Sequence, residues 1–163
     1  MPMPNLQPCA ISDHRTHTSQ TGLRQRLFCY GTLQLTAVLE SVIGRRLRGL
    51  RAALTEYGAF QVRNAEYPGL LHLPGQITWG LLYENLSPPE LDVLDRFEGH
   101  LYRRRHQIIR RIDGRRVQAW VYMLATGRHR QLTAVPWQLE RFRRSSYGRF
   151  MQRFVRDRRF LYA

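Results

Sequence analysis

At 163 residues, 43% of them apolar, and with a net charge of +14, the chain has room for one domain with a real core and too much apolar content for wholesale disorder. No apolar run approaches the roughly 20 residues that span a bilayer, and no basic stretch followed by an apolar one marks a secretory signal, so a soluble cytoplasmic protein is expected. All 26 basic residues are arginine, which excludes Schiff-base and lysine-base catalysis.

Residues 1–24 are rich in Pro, Ser, Thr, Gln and His without apolar periodicity, and read as a disordered extension. His14 and His17 stand three apart with no further ligand nearby, so no metal site is expected. Cys9 lies in this polar tail and Cys29 in an apolar segment, which is no disulfide framework; Phe28 and Tyr30 make Cys29 a packed core thiol. Residues 26–30 predict a strand that breaks at Gly31. Gln34 to Ile43 reads as a helix with Leu35, Val38, Leu39 and Val42 on one face, stopped at Gly44. Residues 47–62 read as extended segments broken near Gly58, residues 64–69 as turn chemistry, and Ile77 to Tyr83 as a strand.

Ser87-Pro88-Pro89-Glu90 signals a helix start, with Ser87 as cap, Pro88 at the first helical position and Glu90 completing a capping box. Leu91, Leu94 and Phe97 form its apolar face and Gly99 ends it, placing Glu98 at a helix-to-loop junction. Asp113-Gly114 predicts a tight turn between strands over 105–112 and 115–123. In the second strand Val117, Ala119, Val121 and Met123 share one side, Trp120 and Tyr122 the other. A single helix is expected from about 137 to 156, with Leu139, Phe142, Phe150, Phe154 and Val155 against the body.

This order predicts an α+β fold, a small mostly antiparallel β-barrel with flanking helices. Residues 25–126 would form the domain, and residues 127–163 an Arg-rich helical segment packed on it. Residues 126–163 hold ten arginines against two acids, whereas residues 27–125 hold thirteen against nine. The excess at the C-terminal end should attract anionic small molecules and, nonspecifically, polyanions.

Two segments carry chemistry. Glu98 offers a carboxylate that can move a proton, and the strand Leu27 to Tyr30 breaks at Gly31 to expose backbone N–H groups. A base beside a donor-lined loop suffices for chemistry at a carbonyl. Each feature has a plainer reading: a glutamate at a helix end is usually solvated, Gly-Thr is common where a strand turns into a helix, and Tyr102 and Tyr122 are ordinarily core or rim aromatics.

The segments Tyr30-Gly31-Thr32-Leu33, Tyr67-Pro68-Gly69-Leu70, Gly80-Leu81-Leu82-Tyr83, Leu91 through Gly99, Tyr102-Arg103 and Ala119-Trp120-Val121-Tyr122 follow one another in an order that resembles the γ-glutamylcyclotransferase-like superfamily, in particular its AIG2-like branch. The resemblance covers about residues 26–125. It implies a barrel with a pocket at one end, a Tyr30-Gly31-Thr32-Leu33 loop that binds substrate through its backbone, and Glu98 as acid/base. The implied reaction converts a small anionic or zwitterionic γ-glutamyl compound into 5-oxoproline and a free amine, without cofactor or metal. Tyr102 and Tyr122 would wall the pocket or donate hydrogen bonds. Burial beside Phe97 and Tyr102 would raise the Glu98 pKa, and Arg103 or Arg104 would lower it; both arginines are expected to point outward.

Two alternatives stand beside this reading. A non-catalytic member of the fold would bind nucleic acid or another polyanion through Arg141, Arg143, Arg144, Arg149, Arg153, Arg156, Arg158 and Arg159, interleaved with Phe142, Tyr147 and Phe150. An enzyme of the same fold would instead remove a γ-glutamyl protecting group in a biosynthetic pathway.

Overall fold

The computed structural model describes residues 23–156. The extension expected over residues 1–24, with Cys9, His14 and His17, falls almost wholly outside them. β1 (Gln25–Cys29) is buried on both faces, because two apolar layers meet on it. Phe28 and Tyr30 pack with Ala52, Leu54, Leu70, Leu82, Ile109, Ala119 and Val121. Apart from Tyr30, just past the end of β1, that cluster contains strand residues and is the barrel interior. Leu27 and Cys29 point the other way, onto Val38, Leu39, Val42, Leu91 and Leu94 of the flanking helices. Each fully buried Leu or Phe here stabilises by about 1.5–3 kcal/mol relative to exposure.

The barrel closes through five strands: β1, β5 (Arg116–Leu124), β4 (Tyr102–Arg111), β2 (Gly49–Val62) and β3 (Pro68–Leu86), with β3 pairing back to β1. Only the β1–β5 pair is parallel. The expected fold class is therefore observed. The predicted β4–β5 turn is also there, with Gly114 at φ 85°. Alternation along β5 follows the expectation: Ala119 and Val121 enter the barrel, and Tyr122 faces the helical layer.

Three expectations are corrected. First, β2 is not broken near Gly58; it runs through that glycine, and the irregularity lies at Glu56, which sits at φ 66° inside a register shift. Second, the first helix is shorter than expected. Residues Thr32–Gln34 form a 3-10 turn, and α1 spans Thr36–Ile43, ending at Gly44 in the left-handed conformation. Third, the single helix expected over residues 137–156 is two, α3 (Leu139–Ser145) and α4 (Tyr147–Arg156), preceded by an unforeseen strand β6 (Leu132–Pro136) on the edge of β2.

α2 (Pro88–Glu98) matches its prediction closely. Ser87 Oγ accepts from the Glu90 N–H at 3.4 Å, and the Glu90 carboxylate accepts from the Ser87 N–H at 2.7 Å. Leu91 and Leu94 are buried against α1 and β1, and this fixes the helix so that its last residue faces the end of the barrel.

Candidate active site

Glu98 and the turn after β1 share one recess. Its walls are Phe28, Cys29, Tyr30, Gly31, Thr32, Leu33, Tyr67, Pro68, Glu98, Tyr102 and Tyr122, around a small cavity of about 30 Å³. All seven residues expected at the site line it. Gly31 has an ordinary φ of −110°, so its role is not a left-handed turn. A Cβ there would stand 3.1 Å from Cδ and Cγ of Pro68, so glycine lets the β1 turn and the start of β3 approach across the recess. Thr32 and Leu33 open a 3-10 turn, whose first N–H groups have no acceptor within the turn itself.

The tyrosines fix the walls. Tyr102 donates its hydroxyl to the Pro68 carbonyl at 2.6 Å, Tyr30 to the Tyr122 carbonyl at 2.7 Å, and Tyr83 to the Leu33 carbonyl at 3.0 Å. Tyr122 donates to Asp95 Oδ1 at 2.8 Å. Burial, reinforced by the nearby Glu98 carboxyl, pushes the hydroxyl pKa values of Tyr30, Tyr102 and Tyr122 far above the ordinary range. These groups stay protonated and already have acceptors, so they shape the recess and do not titrate in it.

Glu98 is different. Among the described residues no side chain hydrogen-bonds or ion-pairs with its carboxyl. Arg104, expected to point outward, is part-buried and turns onto Asp95, with Nε and Nη2 at 2.6 and 2.8 Å from the two carboxylate oxygens. Arg103 donates to the Tyr102 carbonyl at 2.9 Å. Glu98 as a residue keeps partial exposure towards the hollow, yet its carboxyl is well desolvated. Burial, and then the charge of Asp95, raises its pKa from 4.5 to about 8. The result is a carboxyl that can hold or release a proton near neutrality.

A second, wider hollow adjoins the recess and shares Thr32, Tyr67, Glu98 and Tyr102 with it. Its outer lining includes Glu66, Phe97, Phe150, Arg153 and Phe154. Glu66 accepts from both Arg149, at 3.3 Å, and Arg153. No role for Tyr67 or Asp95 follows from reading the sequence, and Phe150 and Arg153 of this outer wall read there only as packing and polyanion-binding residues. Tyr67 and Asp95 stand inside segments that carry the family resemblance, and that was the available signal. Of the tail arginines, Arg143 pairs with Glu140; Arg158 and Arg159 lie outside the described residues.

The chain thus has the form of a small closed barrel with a desolvated carboxyl at one end. The family described as "Gamma-glutamyl cyclotransferase, AIG2-like" matches residues 27–140, and the chain belongs to it. Among solved structures, an AIG2-like protein from Mus musculus is similar at 25% identity with a TM-score of 0.56, covering 71% of this chain and 86% of that one. A protein from Arabidopsis thaliana shares the fold at 21% identity, with a TM-score of 0.64 over 82% of this chain and 81% of that one. A structure titled "Gamma-glutamyl cyclotransferase" shares it at 16% identity, with a TM-score of 0.57 over 63% and 67%. No curated protein matches the sequence.

Proposed function

We propose that the protein is a γ-glutamyl cyclotransferase that releases 5-oxoproline and a free amine from a small γ-glutamyl compound. The observation that carries this reading is the Glu98 carboxyl, without a side-chain partner among the described residues, in one recess with the Gly31–Leu33 turn, in a chain of this family. The γ-glutamyl half would lie against the turn, with its γ-carbonyl oxygen towards the N–H groups of residues 31–33. Its α-ammonium would face Glu98. An incoming cation stabilises the carboxylate, so binding itself would draw Glu98 towards the ionised form a base requires.

Glu98 takes a proton from the ammonium. The freed amine attacks the γ-carbon and closes a five-membered ring, while the N–H groups hold the charge that develops on oxygen. The carboxyl returns its proton to the scissile nitrogen, the C–N bond breaks, and the amine departs. Over one turnover the ring nitrogen gives up two protons and the leaving nitrogen gains two, so the second follows the same path or passes through solvent. Tethering the nucleophile removes most of the entropic barrier, and the rigid tyrosine-braced walls need only hold the folded substrate.

The experiment is a coupled assay for 5-oxoproline and primary amine over a panel of γ-glutamyl amides and γ-glutamyl amino acids. Equimolar release of both from at least one compound is expected. Folded protein that releases neither from any of them contradicts the proposal.

A further inference from the structure

We infer that the wider hollow beside α4 selects the leaving amine, and that it takes an amine with a bulky apolar body and a carboxylate, with Phe150 and Arg153 as the specificity-determining residues. The inference rests on the reading of Glu98 as the proton-transfer group. If the γ-glutamyl half occupies the recess, the scissile nitrogen lies at Glu98 and the leaving group must extend beyond it. The wider hollow shares Glu98 with the recess and opens outward from it.

Its lining states what it would accept. Phe97 and Phe154 meet edge to face at 5.4 Å, Phe97 and Phe150 at 6.5 Å, and Phe150 stacks on Phe154 at 6.3 Å. Phe97 and Phe150 remain part-exposed at the hollow. Aromatic surface left open beside a catalytic group favours an apolar partner. At the rim, Glu66 is held by two guanidiniums, Arg149 and Arg153, so the cluster carries one positive charge in excess. Arg153 itself lines the hollow. Its planar fork has donors beyond those turned to Glu66 and suits a carboxylate, whereas a basic leaving group would meet like charge.

Part of the wall lies beyond the stretch that the family model matches. The family match ends at residue 140, and α4 begins at Tyr147. Helix α2 therefore brings the proton-transfer group to the end of the barrel, and α4 brings the surface that reads the departing amine.

The test compares kcat/KM for four substrates: γ-glutamylphenylalanine, γ-glutamylphenethylamide (the same body without the carboxylate), γ-glutamylalanine and γ-glutamylcadaverine. Phenylalanine should exceed phenethylamide by about tenfold or more, the usual scale for a charge-assisted contact, with the basic amine poorest. Arg153→Ala should collapse the phenylalanine-to-phenethylamide ratio towards one, and Arg153→Lys should restore part of it. Phe150→Ala should collapse the phenylalanine-to-alanine ratio. Unchanged melting and near-ultraviolet circular dichroism would verify that the variants fold. A preference for the basic amine, or ratios insensitive to both residues while turnover persists, overturns the inference and leaves the proposed reaction intact. Absence of turnover on all substrates, or undiminished rates in Glu98→Gln, overturns the reaction and the inference with it.

Discussion

Two glutamates line the same continuous hollow in opposite surroundings. Glu98, at the inner end, has no cation on its carboxyl among the described residues, and burial lifts its pKa to about 8. Glu66, at the outer rim, is clamped by Arg149 and Arg153. A carboxylate paired twice is a fixed anchor whose charge is spent on its neighbours. A desolvated carboxyl without a partner can change protonation state at little expense near neutral pH. Arg104, which could have quenched Glu98, is drawn off by Asp95. On the reading proposed above, proton transfer belongs to the inner end and recognition to the outer one.

The largest way to disturb this contrast, short of removing Glu98, is to open the recess. In Gly31→Ala the new Cβ would sit 3.1 Å from the Pro68 ring and push the turn away from β3. We expect kcat/KM to fall by about 10- to 100-fold through misplacement of the carbonyl, while a thermal melt shows a folded protein. A smaller effect sharpens the electrostatic half. Asp95→Asn removes the charge that, after burial, raises the Glu98 pKa, and frees Arg104 to lower it further. The acidic limb of the kcat/KM profile should move to lower pH; a shift upward would contradict the assignment.

The smallest expected effect is on stability. Because Glu98 is raised in the folded state from 4.5 to about 8, its neutral form suits the fold. That contribution is complete below pH 4.5 and is lost as pH climbs towards 8. Glu98→Gln should therefore melt like the parent at pH 4.5 and above it at pH 8.5 or higher. An equal difference at both pH values would mean that the carboxyl is solvated.

What the sequence discloses is what is encoded locally. The Ser87–Glu90 capping box and the Asp113-Gly114 turn each lie within a few residues; the box formed as read, and the turn formed at its place but spans residues 112–115. The inner site was legible because its two segments carry a recognisable order of residues. The outer rim was not, since Arg153 and Glu66 are 87 positions apart and nothing in either neighbourhood announces the other. β6 escaped notice for the same reason: it is short, ends on Pro136, and exists through pairing with Phe60 and Val62 of β2. The helix expected over 137–156 breaks at Ser146 although the apolar spacing runs on across it. Gly31 was legible as the break of the first strand; that the neighbour it admits is Pro68, 37 positions later, was not.

The most direct test of the central claim is single-turnover release of 5-oxoproline by the parent protein and by Glu98→Gln, with matched amide NMR spectra to verify the fold. Loss of a general acid/base predicts a fall of about 10²–10⁴-fold in the variant, with the γ-glutamyl compound still bound. A folded Glu98→Gln protein that forms 5-oxoproline at the parental rate would show that the carboxyl at the end of α2 does not move the proton.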